Sequence, residues 1–207
     1  MNSEEIEKGI RQIYTKDKRL APIIEVCGKC DLTPKRDYYH AILRAIIAQQ
    51  LSTIVARVII KRFMDFYNQK PLPERILNTP DEHLRNLGVS YAKIKYVKDL
   101  SNKIITGEVH FRGLNRKSDE DIIAEFTQVK GIGVWTVHMF LMFTLGRLNI
   151  LPTGDLGIRR AVMQLYGLRK LPDEKKLVLI SKKNGWTPYN SIASWYLWRS
   201  IDMKIVK

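Results

Sequence analysis

Two cysteines are all that the 207 residues contain, and they stand together as Cys27-Gly-Lys-Cys30. A structural zinc or an iron–sulfur cluster usually draws on four ligands. No second pair exists, and His40, His83, His110 and His138 are scattered without ligand spacing. No iron–sulfur cluster is therefore expected. The pair reads as reduced thiols, a disulfide or a redox couple, but no βαβ pattern surrounds it, and an incidental structural role fits best. An apolar run long enough to span a bilayer is also missing. The first residues, MNSEEIEKGIRQ, are too polar for a signal peptide. A soluble, intracellular protein is expected, in the cytoplasm or at the nucleoid, with no membrane partner.

Acidic residues are scarce beside basic ones: 21 Asp and Glu against 35 Lys and Arg leave a net charge of +14. Such an excess favours a polyanionic partner through phosphate contacts and counterion release. A basic protein indifferent to nucleic acid is the alternative. Apolar residues make up 45%, enough for a globular core in one domain or two small lobes.

Alternating strand patterns are scarce too, whereas helical signals run along the chain. Asp37 can cap DYYHAILRAIIAQQ, in which Tyr38, Ile42, Ala45 and Ile46 recur at helical spacing. Thr79-Pro80-Asp81-Glu82 offers a cap, a proline at the first helical position and a capping-box acid, and Ser118 to Asp121 repeats the idea. Residues 52–67 and 91–106 are amphipathic. Thr187-Pro188 can start a helix with Tyr189, Ile192, Ala193 and Tyr196 on one face. The fold class is all-α.

Residues 129–137 read VKGIGVWTV. Gly131 and Gly133 tolerate positive φ and let a phosphate approach with no Cβ in the way. The turn opens a helix, whose first amides are unpaired and lie at its positive end. DEDIIAEFTQVK before it is a helix candidate, so the unit reads helix, hairpin, helix over about 119–145, and Lys130 adds a charge. An ordinary interhelical turn is the plainer alternative. In the following helix Val134, Val137, Leu141 and Leu145 form one stripe, suited to the core. Trp135, Met139 and Met142 form a second, suited to a cleft. NLGVSYAKIKYV is a weak echo of the same pattern with one glycine.

Asp155 follows Pro152 and Gly154 in LPTGDLGIRR and precedes a helix candidate. Aspartate is a favoured helix cap. A loop stiffened by proline and loosened by glycine also suits the aiming of one carboxylate at a developing positive charge. Both readings stand on the residues alone.

Taken in order, AIIAQQLST at 45–53, LGVSYAKIKYVKDLS at 87–101, VKGIGVWTVHMF at 129–140 and LPTGDLGIRRAV at 151–162 resemble the helix-hairpin-helix DNA glycosylase superfamily. The resemblance is closest to its alkylated-base branch, 3-methyladenine DNA glycosylase II, in the compact form without an extra N-terminal domain. GWTPYNSIASWYLWR at 185–199 resembles the family's closing helix.

The resemblance implies a single glycosylase unit of two helical lobes around a cleft. One lobe spans 36–147, and 1–35 joins 148–207 in the other. It implies a monomer acting on double-stranded DNA that contains damaged bases. Strand-cutting members carry a lysine where Trp135 stands, so a monofunctional glycosylase is implied, one that flips out an alkylated purine, hydrolyses its N-glycosidic bond and leaves an abasic site. Asp155 would be catalytic. Trp135, Met139 and Trp198 would form the base pocket, and Gln50 and Leu51 would be the wedge inserted into DNA. Lys130, Gly131, Gly133 and Val134 would hold phosphate. No cofactor is required, although a Na+ or K+ on the backbone carbonyls of Thr127, Val129 and Ile132 is implied. Met139 and Asn190 depart from the family pattern, where an aromatic and an arginine are common. A glycosylase for hypoxanthine or oxidised guanine and a non-catalytic DNA-binding module are the alternatives.

Overall fold

The computed structural model describes residues 3–35 and 37–205, and among these there are helices and no strand. The chain divides into two compact units, Arg36–Phe140 and Met1–Lys35 with Leu141–Lys207.

The unit Arg36–Phe140 holds α3 (Tyr38–Ala48), α4 (Thr53–Phe66), α5 (Pro73–Asn78), α6 (Asp81–Asn86), α7 (Tyr91–Ile105), α8 (Asp119–Phe126) and α9 (Val134–Phe140). Its core comes from the apolar stripes of these helices: Ile42, Ile46, Phe63, Ile94, Val97, Phe126, Val137 and Phe140 are all buried. Phe126 stacks on Phe140 with centroids 5.3 Å apart, joining α8 to α9 below the hairpin. Ser52, Ser90 and Ser118 cap α4, α7 and α8 through Val55, Lys93 and Asp121 amides, which satisfies otherwise orphan donors.

Two expected caps differ. Asp37 makes no cap bond and instead pairs with His40 and Arg44. The hydroxyl of Thr79 donates back to the Arg75 carbonyl at 2.7 Å and accepts from Tyr67, so it is spent on α5, and α6 begins at Asp81.

The other unit contains α1 (Ser3–Lys16), α2 (Ala21–Cys27), a π-helical segment Leu141–Leu145, α10 (Leu156–Leu165), α11 (Glu174–Lys183) and α12 (Asn190–Asp202). Its core gathers Ile13, Leu20, Ile158, Val162, Leu177, Trp186, Ile192, Tyr196 and Leu197 around α12. All four residues expected on one face of that helix are buried. The helix starts at Asn190, beyond the cis Thr187–Pro188 peptide.

Residues 141–147 fall in this unit rather than with 36–140, because Phe143 and Leu148 pack on its core. The switch to π winding there inserts an extra residue per turn and breaks the 3.6 period. Consequently Met142 is fully buried, against its expected cleft position; Val134, which opens α9 ahead of that segment, is 49% exposed, against its expected core position.

Among the described residues no helix is long and apolar enough to cross a membrane. Cys27 and Cys30 are free thiols, and burial pushes the Cys30 thiol up to about 12.

Candidate active site and nucleic-acid interface

Asp155 ends the Pro/Gly loop and caps α10. Its Oδ1 accepts the Ile158 amide at 2.8 Å and the Trp198 indole N–H at 2.9 Å. Only 8% of the residue is exposed. Two donors on one oxygen fix the carboxylate more firmly than the cap alone.

The loop is held from α12 at its other end as well. The Ser191 hydroxyl donates to the Arg147 carbonyl and accepts the Ile150 amide, and the Ser191 amide donates to the Leu148 carbonyl. Asn190, where an arginine is common in the resembled family, is buried in a neutral network. It accepts from Ser181 at 2.6 Å and donates to Asn149 at 2.7 Å. Charge at that position is replaced by a set of satisfied amides and hydroxyls.

Gly157 was not singled out by its sequence context, yet a Cβ there would lie 3.1 Å from Asp155 Oδ1 and 3.3 Å from the Trp198 ring. The available signal is a glycine inside the first turn of a helix, where it costs propensity without a reason in the helix itself.

Trp198 also meets Phe143, with centroids 5.9 Å apart. Its place is on Asp155, in the unit Met1–Lys35 with Leu141–Lys207. Trp135 and Met139 belong to the unit Arg36–Phe140, where they line a cavity of about 780 Å³ with Gln50, Leu51, Tyr96 and Gly131. The structure thus brings the wedge candidates, the hairpin and two of the three pocket candidates to one concavity. Trp135 is half exposed.

The hairpin between α8 and α9 has Gly131 at φ +79, and a Cβ there would sit 2.2 Å from the Tyr96 ring. Gly131 is required twice, by conformation and by close packing. Gly133 accepts the Val137 amide and so precedes the helix as its cap, with nothing within 4 Å of a built Cβ. The side of Gly133 is open. The Lys130 amide donates to Asp99 at 2.8 Å and its ammonium lies 3.7 Å from the same carboxylate, while remaining 73% exposed.

Three side chains of α7 organise this edge: Lys93, Tyr96 and Asp99, spaced by three and so on one face. Lys93 donates to the Ile47 carbonyl at 2.8 Å, at the negative end of α3. Burial holds its ammonium below the usual lysine range. None of the three was expected as a site residue; their spacing was the readable signal. Gln50, between α3 and α4, adopts a positive φ of 55 and is exposed.

The carbonyl of Val129 accepts the Ile132 amide at 3.0 Å. Among the described residues no group of three or more His, Cys, Asp and Glu is gathered to hold a metal ion.

The family model for HhH-GPD superfamily base excision DNA repair proteins matches residues 43–185. The chain is 36% identical to DNA-3-methyladenine glycosylase 1 of Schizosaccharomyces pombe, covering 80% of this chain and 73% of that protein. It is 33% identical to a putative DNA-3-methyladenine glycosylase, YfjP, of Bacillus subtilis, covering 96% and 75%. Among solved structures it is similar to the S. pombe 3-methyladenine DNA glycosylase in complex with abasic DNA, with a TM-score of 0.82, 30% identity, and coverage of 94% of this chain and 97% of that one.

Proposed function

The chain belongs to the HhH-GPD superfamily of base excision DNA repair proteins, and on that premise we propose how its residues perform the reaction of an alkylated-base DNA glycosylase. Relatives that cover most of its length carry the name 3-methyladenine DNA glycosylase, and a similar structure holds abasic DNA, the kind of product such a reaction leaves. The protein hydrolyses N-glycosidic bonds of alkylated purines in DNA. Acting on chromosomal DNA, it works in the cytoplasm or at the nucleoid.

The observation that carries the mechanism is the doubly anchored carboxylate of Asp155. In an alkylated purine nucleotide the base already bears positive charge. When the C1′–N bond breaks, the base leaves as a neutral molecule with the bonding electrons, and the positive charge moves to the sugar. A fixed carboxylate stabilises that charge without having to reorganise. Water then bonds to C1′ and gives up a proton, leaving an abasic site. Asp155 accepts or directs that proton. Trp135 stands where strand-cutting members of the resembled family carry a lysine, so no Schiff base forms there and the strand stays intact.

Around this chemistry the residues divide by task. A base must leave the stack to react, at a cost of a few kcal/mol. Gln50 and Leu51 fill the vacated space. Gly131, Gly133 and Val134 present amides to a phosphate, with Lys130 supplying charge. Trp135 and Met139 give the damaged base an apolar, polarisable wall that favours a cationic ring. Trp198 serves the same end through Asp155. A Na+ or K+ suits the carbonyls of Thr127, Val129 and Ile132, because they lie past the negative C-terminal end of α8, and the Val129 carbonyl keeps a second lone pair beyond its bond to Ile132.

Single-turnover base release from methylated duplex DNA tests the reading, with wild type beside Asp155→Asn and each product divided between hot alkali and no treatment. Released 3-methyladenine, with strand breaks only after alkali and none from the variant, is expected. Binding of DNA without base release by either protein would leave a non-catalytic DNA-binding module.

A further inference from the structure

Gln49 sits at the C-terminal end of α3, one residue before the insertion turn, and its side chain does not cap that helix. Its amide reaches the carbonyl of Gly131 in the hairpin, donating at 2.8 Å across 82 positions of sequence. The next residue, Gln50, holds a left-handed φ of 55, and the Leu51 amide closes the turn on the Ala48 carbonyl at 3.2 Å. A non-glycine residue in that conformation costs about 1 kcal/mol and persists where its surroundings dictate it. The base of the turn is held by Lys93 on the Ile47 carbonyl, and the hairpin is held by Tyr96 beneath Gly131 and by Asp99 on the Lys130 amide. Helix α7 therefore supports both elements, and Gln49 joins them directly, closing a triangle of turn, helix and hairpin.

We propose that Gln49 is a positioning residue that keeps the insertion turn in register with the hairpin, so that gripping the DNA backbone and filling the vacated base position are one event. The inference rests on the reading of Gln50 and Leu51 as the inserted residues. The bond is neutral and surface-lying, so it adds little to stability. Its effect lies in where Leu51 stands once the hairpin has met a phosphate. Without it the turn is free to relax out of its left-handed conformation, and Leu51 meets the duplex from a spread of positions.

The test uses a duplex carrying a tetrahydrofuran abasic-site analogue with 2-aminopurine opposite it. Fluorescence at saturating protein reads insertion, the titration reads affinity, and neither depends on which lesion the enzyme prefers. Wild type, Leu51→Ala, Gln49→Ala and Gln49→Glu are compared, with thermal melting of each. The inference expects Leu51→Ala to abolish the insertion signal. It expects both Gln49 variants to lose most of that signal and to release base about five- to tenfold more slowly, the effect of one lost neutral hydrogen bond, with an unchanged melting temperature. Loss of signal in Leu51→Ala but not in the Gln49 variants overturns the role of Gln49 and leaves the insertion reading standing. A full signal from Leu51→Ala overturns the insertion reading, and the inference with it. Signal, affinity and melting temperature falling in parallel in the Gln49 variants would mark a merely structural bond and also overturn the inference.

Discussion

The indole N–H of Trp198 and the amide of Ile158 meet on the same oxygen of Asp155, at 2.9 and 2.8 Å. The backbone donor would be present for any capping aspartate; the indole is particular to this helix pair. Trp198→Phe keeps an aromatic ring at this position and removes the donor, together with part of the indole's volume. A hydrogen bond to a charged group contributes about 1.5–3 kcal/mol, so single-turnover base release should slow by roughly tenfold or more. Affinity for abasic DNA should stay close to wild type. An unchanged rate would mean that the cap bond alone fixes the carboxylate.

Gly157 offers a cleaner separation of stability from catalysis. Alanine is favoured over glycine within a helix by up to about 1 kcal/mol, so Gly157→Ala should melt at the wild-type temperature or slightly above. The new methyl would crowd Asp155 Oδ1 at 3.1 Å and the Trp198 ring at 3.3 Å, and one of them must move by a few tenths of an ångström. Base release should fall several-fold. A variant at once less stable and fully active would contradict this account.

The two hairpin glycines should fail in different ways. At Gly131, with φ +79 and a ring 2.2 Å from the built Cβ, alanine must both strain the backbone and displace Tyr96. A loss of about 2–4 kcal/mol is expected in denaturant unfolding. Gly133→Ala meets nothing within 4 Å and should still fold, alanine being a poorer helix cap than glycine by about 1 kcal/mol. Its methyl projects where a phosphate would approach, so affinity for duplex DNA should drop. Equal affinity in Gly133→Ala would remove this hairpin from the DNA interface.

Much of this was legible in the chain because the signals are local. Ser118 caps α8 and Asp155 caps α10 as their positions suggest, and the glycine pair marks the hairpin without reference to anything distant. What escaped depends on which surfaces meet. No local pattern tells which of Gln49 and Gln50 reaches across to Gly131, or that the hydroxyl of Thr79 is taken by Arg75 and Tyr67 instead of capping α6. The burial of Met142 has a different origin. A period of 3.6 carried through residues 141–145 assumes α winding, and the chain winds as π there. The role of Trp198 required knowing that α12 packs on α10, which side-chain types alone do not convey.

Asp17 matches Asp155 in burial but not in purpose: its carboxylate serves structure. It is completely buried and accepts from the Trp186 indole at 2.6 Å, from the Arg19 and Leu20 amides at 3.0 Å, and from the Tyr166 hydroxyl. These bonds tie the α1–α2 turn to the chain on either side of α11. Asp17→Ala would leave several buried donors without an acceptor, and a loss of about 3–5 kcal/mol is expected by analogy with breaking other buried charged networks. Chemical denaturation measures it. A loss below about 1 kcal/mol would mean that water replaces the carboxylate at no cost.

Alkaline pH should weaken the fold in a predictable window. The Cys30 thiol is pushed up to about 12, first by burial and then by the charge of Asp31, and burial likewise raises the hydroxyls of Tyr39, Tyr166 and Tyr196. In each case the folded state keeps its proton to higher pH than the unfolded chain does. The unfolded state therefore binds fewer protons once pH exceeds the ordinary value of the group, and unfolding becomes easier as pH rises. The contribution of Cys30 is complete below about pH 8.5 and drains away up to about 12. By pH 10 this group alone should have cost about 1–2 kcal/mol relative to pH 7, with the tyrosines adding to the decline above that point. Denaturant midpoints at pH 7, 9 and 10 measure the slope. Cys30→Ala should start less stable at pH 7, having lost packing in the core, yet fall less steeply between pH 9 and 10. Parallel slopes for the two proteins would place the alkaline sensitivity elsewhere.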